Sequence, residues 1–118
     1  MRTGLLAWQW SDYADKHRHR ANLIVHIPAV ALFWLGAASI VWAAGVSHSP
    51  RRIAFGLVCI VVSIAAQGRG HRFERETPTP FAGAGDFVTR VIAEQFVTFP
   101  RFVLSGAWYR ALRQSKAR

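Results

Sequence analysis

The sequence predicts an all-α fold, a small membrane helical bundle built on a two-helix transmembrane hairpin with flanking interfacial helices. Three observations carry this expectation. From Leu23 to Val46 the chain reads LIVHIPAVALFWLGAASIVWAAGV, with His26 its only titratable group. That run is long enough to cross a hydrocarbon core of about 30 Å. From Ile53 to Ala66 it reads IAFGLVCIVVSIAA, shorter but uncharged, and sufficient to span when the flanking arginines snorkel. Only the turn-rich SHSPRR separates the two, so they fold back on each other with their outer ends on one side of the membrane.

Composition supports a membrane setting. At 118 residues, 1–118 form one domain with no room for a second core. With 52% apolar residues the chain has too little other sequence to bury both runs as a soluble bundle. The first run is also too long, and starts too far from Met1, for a cleaved signal peptide. The net charge of +9 is not spread evenly. It sits at the ends of apolar runs, at Lys16, Arg18 and Arg20, at Arg51 and Arg52, at Arg69, Arg72 and Arg75, and at Arg110, Arg113, Lys116 and Arg118. That is how helix ends anchor among anionic headgroups, and with no nucleic-acid module present, nucleic acid is not an expected partner. Arg2, Lys16, Arg18 and Arg20 before the hairpin and Arg69, Arg72 and Arg75 after it outnumber Arg51 and Arg52 in the loop, which predicts cytoplasmic termini. The single cysteine, Cys59, lies in an apolar run with no disulfide partner and reads as packing.

In chain order, LLAWQWSDYADK predicts an interfacial helix over about 4–17, with Trp8 and Trp10 at headgroup level. The spanning helices follow at about 22–46 and 51–68. ETPTPFAGAGD predicts an irregular loop. A further helix over about 86–99 is expected to take Asp86 as its N-cap, with Phe87, Val91, Ile92, Gln95 and Phe96 at helical spacing. Pro100 should break or kink it by deleting a donor and crowding the carbonyl of Phe96, leaving a last helix over about 101–114. Arg90, Glu94 and Arg101 place this segment at the interface rather than across the bilayer.

A hairpin closed at SHSPRR brings residues 17–26 beside residues 67–76. That gathers Tyr13, His17, His19, Asn22, His26, Gln67, His71, Glu74 and Glu76, while His48 lies at the far end. Imidazoles with a carboxylate are the ligand set of non-haem Fe(II), Mn or Zn, and a titratable group inside a membrane span is a functional candidate. Asn22 and His26, and His19 and His26, share a helix face, whereas His17 lies opposite His26 unless the helix starts after it or bends. Spacing in an uninterrupted helix therefore favours His19 over His17 as the partner of His26. His71 and Glu74 can point together on one turn.

YADKHRHRANLIVHIP and GRGHRFERETPTPF resemble the two motifs of the 2-hydroxy fatty acid dioxygenase family, small multi-helix membrane proteins long carried as a domain of unknown function. Tyr13, His17, Asn22 and His26 look like its first motif, and Gly70, His71, Glu74 and Pro78 like its second. Here Glu74 follows His71 at three positions where the family has four. The resemblance implies an Fe(II)-dependent dioxygenase that takes a 2-hydroxy fatty acid and O2 to the acid one carbon shorter and CO2. It implies His17, His26 and His71 as metal ligands, with His19 or Glu74 as a fourth, and Tyr13 and Asn22 as orienting groups. Arg69, Arg72 or Arg75 would pair the substrate carboxylate. The tail FVTRVIAEQFVTFPRFVLSGAW looks like a bacterial branch, which implies the bacterial inner membrane. The competing expectation is a non-catalytic membrane protein that binds lipid or assists assembly. A transporter fits less well, since between Ala29 and Ala66 the polar groups are only Ser39, Ser47, His48, Ser49, Ser63 and the two loop arginines.

Overall fold

The computed structural model describes residues 3–115; Arg2, Lys116 and Arg118 of the charge pattern lie outside the described residues. The fold is all-α, with no strand among the described residues. Helix α1 (Leu5–Ser11) leads through a 3-10 turn (Ala14–Lys16) into α2 (Arg20–Trp42), which ends in a π-turn (Ala43–Ser47). Helix α3 (Pro50–His71) returns alongside α2. After a loop come α4 (Ala84–Ala93), a second π-turn (Glu94–Thr98), α5 (Phe99–Leu104) and α6 (Ala107–Ser115).

The hairpin forms because its turn is well specified. His48 takes the left-handed conformation (φ 52°) that closes α2, and its N–H donates to the Ala43 carbonyl. Ser49 then caps α3 by accepting from the Arg52 N–H, and Pro50 fits the first turn, where its missing donor costs nothing. Midway along, the helices touch backbone to backbone. A Cβ on Gly36 would fall 2.6 Å from the Gly56 carbonyl, and one on Gly56 2.5 Å from that of Gly36. Both α2 and α3 are long and apolar enough to cross a membrane, and only 28% of each apolar stretch is buried inside the molecule. A core helix of a soluble bundle would be mostly covered; here Ile24, Ile27, Trp34, Leu35, Val58 and Val61 are among many large side chains left bare. The pattern points to membrane insertion.

The best-packed apolar region lies at one end of the hairpin, where Tyr13, Leu23, Val30, Phe99, Phe102 and Ala111 meet. The indole N–H of Trp108 donates to the Leu23 carbonyl at 2.9 Å and ties α6 to α2. Cys59 is buried between the hairpin helices, beside Gly36. Cys59→Ala should cost no more than about 1 kcal/mol, since it removes one small apolar atom. Metal content in the purified variant should equal the parent's; a loss would mean that the thiol has a role beyond packing.

Several local expectations need correction. The predicted helix over 4–17 splits at Asp12 into α1 and the 3-10 turn. Asp86 is not the N-cap of α4, which is Gly83. Asp86 lies inside the first turn, accepts from the Ala82 N–H and pairs with Arg90. Pro100 does not break the helix, which continues through it as α5; the interruption falls later, at Ser105 and Gly106, where Gly106 takes a positive φ (84°) and divides the predicted helix over 101–114. The π-turn before Pro100 shifts the register so that the Phe99 N–H reaches Glu94, and the Gln95 carbonyl, which Pro100 cannot serve, accepts instead from the Trp34 indole at 2.8 Å.

Candidate metal centre

Four side chains from three parts of the chain converge beside this apolar core: His17, His26, His71 and Glu94. One potential ligand atom from each lies within 4.8 Å of all the others. The three rings stand almost perpendicular to one another, with centroids 4.7 to 5.0 Å apart and interplanar angles of 80° to 86°. Three imidazoles crossed in this way aim at a common centre rather than stacking.

The hydrogen bonds around the rings decide what faces that centre. His17 Nδ1 lies 2.7 Å from the Tyr13 carbonyl, and His26 Nδ1 3.0 Å from that of Asn22. A carbonyl can only accept, so each Nδ1 carries the proton and each Nε2 presents a bare lone pair. Both Nε2 atoms are buried without a hydrogen-bond partner among the described residues, and so is His71 Nδ1. Each Nε2 lies 3.8 Å from Glu94 Oε2, too far for a hydrogen bond. Lone pairs and a carboxylate thus confront each other across an unbridged gap, an arrangement that a cation between them relieves.

Local folding explains how His17 arrives there. Helix α2 starts at Arg20, after His17, so the opposite-face objection does not apply. The turn before α2 is held by Glu74, whose buried carboxylate accepts from the N–H groups of Arg18 and His19 at 3.0 Å and from Asn22 Nδ2 at 2.7 Å. Gly70 makes room for this contact, since a Cβ there would fall 2.5 Å from Asn22 Oδ1. Tyr13 stacks on His17 at 3.9 Å and donates its hydroxyl to Glu94 Oε2 at 2.8 Å. Burial, reinforced by Glu94, raises the Tyr13 pKa well above its usual value, so the phenol keeps its proton. Burial, then the neighbouring His26 and His71, lowers that of His17 well below the usual imidazole value, so its lone pair stays available. Glu94 is 21% exposed at the side chain, and burial raises its pKa while the Tyr13 hydroxyl opposes the shift.

The other candidates fall elsewhere. His19 is the N-cap of α2, accepts from the Ala21 N–H and stacks on Phe73, outside the cluster. Glu74 is a strut rather than a member of the cluster, in keeping with its altered spacing from His71. Asn22 orients His26 through its carbonyl and Glu74 through its amide. Of the three arginines, only Arg72 lines the groove described next; Arg69 and Arg75 are exposed, and Arg75 lines a separate surface hollow beside Arg18 and Glu74. Glu94 itself was read from sequence only as an interfacial charge. The signal that could have found it is the one that singled out His26, a titratable group within an apolar helix.

His26 and His17 are backed by Phe99 and Phe102. On the other side His71 and Glu94 border a groove of about 290 Å³ walled by Ile64, Gly68, Phe81, Phe87 and Val91, with Arg72 and Arg90 also on its lining. Arg90 is buried, donates to the carbonyls of Thr79 and Pro80, pairs with Asp86 and lies 4.2 Å above the Phe81 ring. A smaller chamber of about 50 Å³ reaches His17, His71 and Glu94 past Tyr13 and Lys16. Chemically this is a His3Glu cluster able to hold a divalent cation, with an approach from one side. Comparison with protein-family models, curated proteins and solved structures found no match, so the reading of the site rests on its own geometry.

Proposed function

We propose that this chain is an Fe(II)-dependent membrane dioxygenase of fatty acid α-oxidation, acting on a 2-hydroxy fatty acid. The observation that carries the reading is the set of three buried imidazole nitrogens with no partner, crossed around one carboxylate. Three neutral imidazoles and a carboxylate suit a non-haem iron that retains open positions. The resemblance of the two His motifs to the dioxygenase family supplies the choice of iron and of substrate. The balanced reaction is RCH(OH)COOH + O2 → RCOOH + CO2 + H2O.

The metal, when bound, would supply oxygen activation and chelation of the hydroxy acid. The chain's own residues do the rest. His17, His26 and His71 present lone pairs, two of them locked by carbonyls on the far side of the ring. Tyr13 holds the Glu94 carboxylate in orientation. Phe99 and Phe102 exclude water from behind, the groove walls Ile64, Phe87 and Val91 accept an acyl chain, and Arg72 at the lining pairs its carboxylate. The excess of basic residues at the hairpin's outer ends supports cytoplasmic termini, and the tail's resemblance to a bacterial branch supports the bacterial inner membrane.

The test is oxygen consumption by detergent-purified protein reconstituted anaerobically with Fe(II), given 2-hydroxy acids and then the same acids without the hydroxyl. Turnover confined to the hydroxylated series is expected. Iron binding with no oxygen uptake would favour a non-catalytic lipid-binding protein. Gly68 offers a sharper probe, because it lines the groove and a Cβ there meets nothing within 4 Å. Gly68→Phe should leave the iron content unchanged and lower oxygen uptake by more than about tenfold, the scale of losing a substrate's place in a fitted pocket. Unchanged turnover would remove the groove from the mechanism.

A further inference from the structure

We propose that Gln67 and Gln95 form a clamp that sets the separation of His71 from Glu94. The inference rests on the reading of those two residues as metal ligands and adds the device that positions them. His71 is the last residue of α3, and Glu94 the first of the second π-turn. Helix α3 packs along α2, while the π-turn that carries Glu94 packs on α1 and α2, and the groove lies between α3 and α4. The two ligands are thus linked by helix packing only indirectly, through α2.

Two side chains cross the gap. Gln67 lies one turn before His71 on the same face of α3, and Gln95 directly follows Glu94. Their carboxamides exchange a pair of hydrogen bonds, each 2.9 Å, at 6% and 2% exposure. Both ends are anchored in turn. Gln67 gives its second amide hydrogen to Ser63 Oγ at 3.0 Å, and Ser63 donates to the Ala29 carbonyl. The Gln95 carbonyl is held by the Trp34 indole. These contacts join α3 and the π-turn to each other and both to α2, at Ala29 and Trp34.

A leucine pair would fill this space at a lower desolvation cost. What the amides add is direction, since a doubly bonded pair fixes distance and rotation together, as apolar contact does not. The clamp lies one residue from Glu94 and one turn from His71, so its geometry passes to the ligands with little slack.

The experiment uses the full chain in detergent, titrated with Co(II), whose d–d absorption reports coordination number and geometry. The main variant is Gln67→Met with Gln95→Met. Replacing both partners leaves no orphaned amide and keeps similar volume, so the fold should survive. Binding is expected to weaken about 10- to 100-fold, as for loss of a partner that orients a ligand, with a changed d–d envelope. Gln67→Asn, which keeps an amide but withdraws it by one methylene, should shift the spectrum in the same way and serves where the double variant is poorly produced. Parent-like affinity and spectrum in both would overturn the clamp while leaving the metal centre intact. A parent protein that binds no Co(II) would instead remove the metal centre, and the clamp with it.

Discussion

Alanine at His17, His26, His71 or Glu94 is expected to weaken Fe(II) binding by more than about 100-fold, beyond what losing an outer partner costs. Each of these residues offers an atom to one small space, and three of those atoms have no other partner. Removing one leaves the others converging on a centre with a ligand missing. His19→Ala and His48→Ala should bind as the parent does. The first loses an N-cap contact outside the cluster, and the second lies at the hairpin's far end. Metal-to-protein ratios after anaerobic reconstitution separate the two sets. Binding that depended on His19 and not on His17 would contradict the assembled geometry. Retention in the Glu94→Ala protein would make the carboxylate a bystander.

Glu74→Ala should be the most damaging change outside the cluster. The carboxylate satisfies two backbone N–H groups and the Asn22 amide, and it sits at the start of α2, where the helix dipole favours an anion. Losing it strands up to three donors, at about 1–3 kcal/mol each, and frees the turn that presents His17. A fall in melting temperature together with weaker metal binding is expected. Because Glu74 positions rather than ligates, excess metal should recover much of the binding, which it should not do in His26→Ala. Glu74→Gln keeps one acceptor and should fall between. A Glu74→Ala protein as stable as the parent would show that the turn is held by something else.

Much of this was legible in the sequence for identifiable reasons. Hydropathy and the short SHSPRR connector carry the hairpin, and the hairpin alone brings the neighbourhoods of His26 and His71 together. Uninterrupted helical spacing favours His19 over His17, and the structure reverses that choice. The choice depends on where α2 begins, and that is set by Glu74, more than fifty residues away, bonding the turn. Glu94 was hidden for a related reason. Its place in an apolar helix marks it as a candidate, but the same helix carries Arg90 and Arg101, and only the folded chain shows this carboxylate turned toward three imidazoles. Pro100 was read for the donor it lacks, while the outcome was set by Trp34, a residue of α2 that supplies the substitute.

The depth of the centre has a consequence for any amphiphilic ligand. His26 is the seventh residue of α2, about 9 Å along the helix axis from Arg20, and His71 ends α3 at the same level. If Arg20 lies among the headgroups, as the proposed membrane placement has it, this is the level where headgroups give way to acyl chains. A single-chain lipid could bring its first carbons to the centre while the remainder of its tail stayed among its neighbours. Lifting a chain into water costs about 0.8 kcal/mol for each methylene, so about 8 kcal/mol for ten. On the proposed function, a centre at this depth would need no extraction step, and a lipid substrate would reach it by diffusion in two dimensions rather than three.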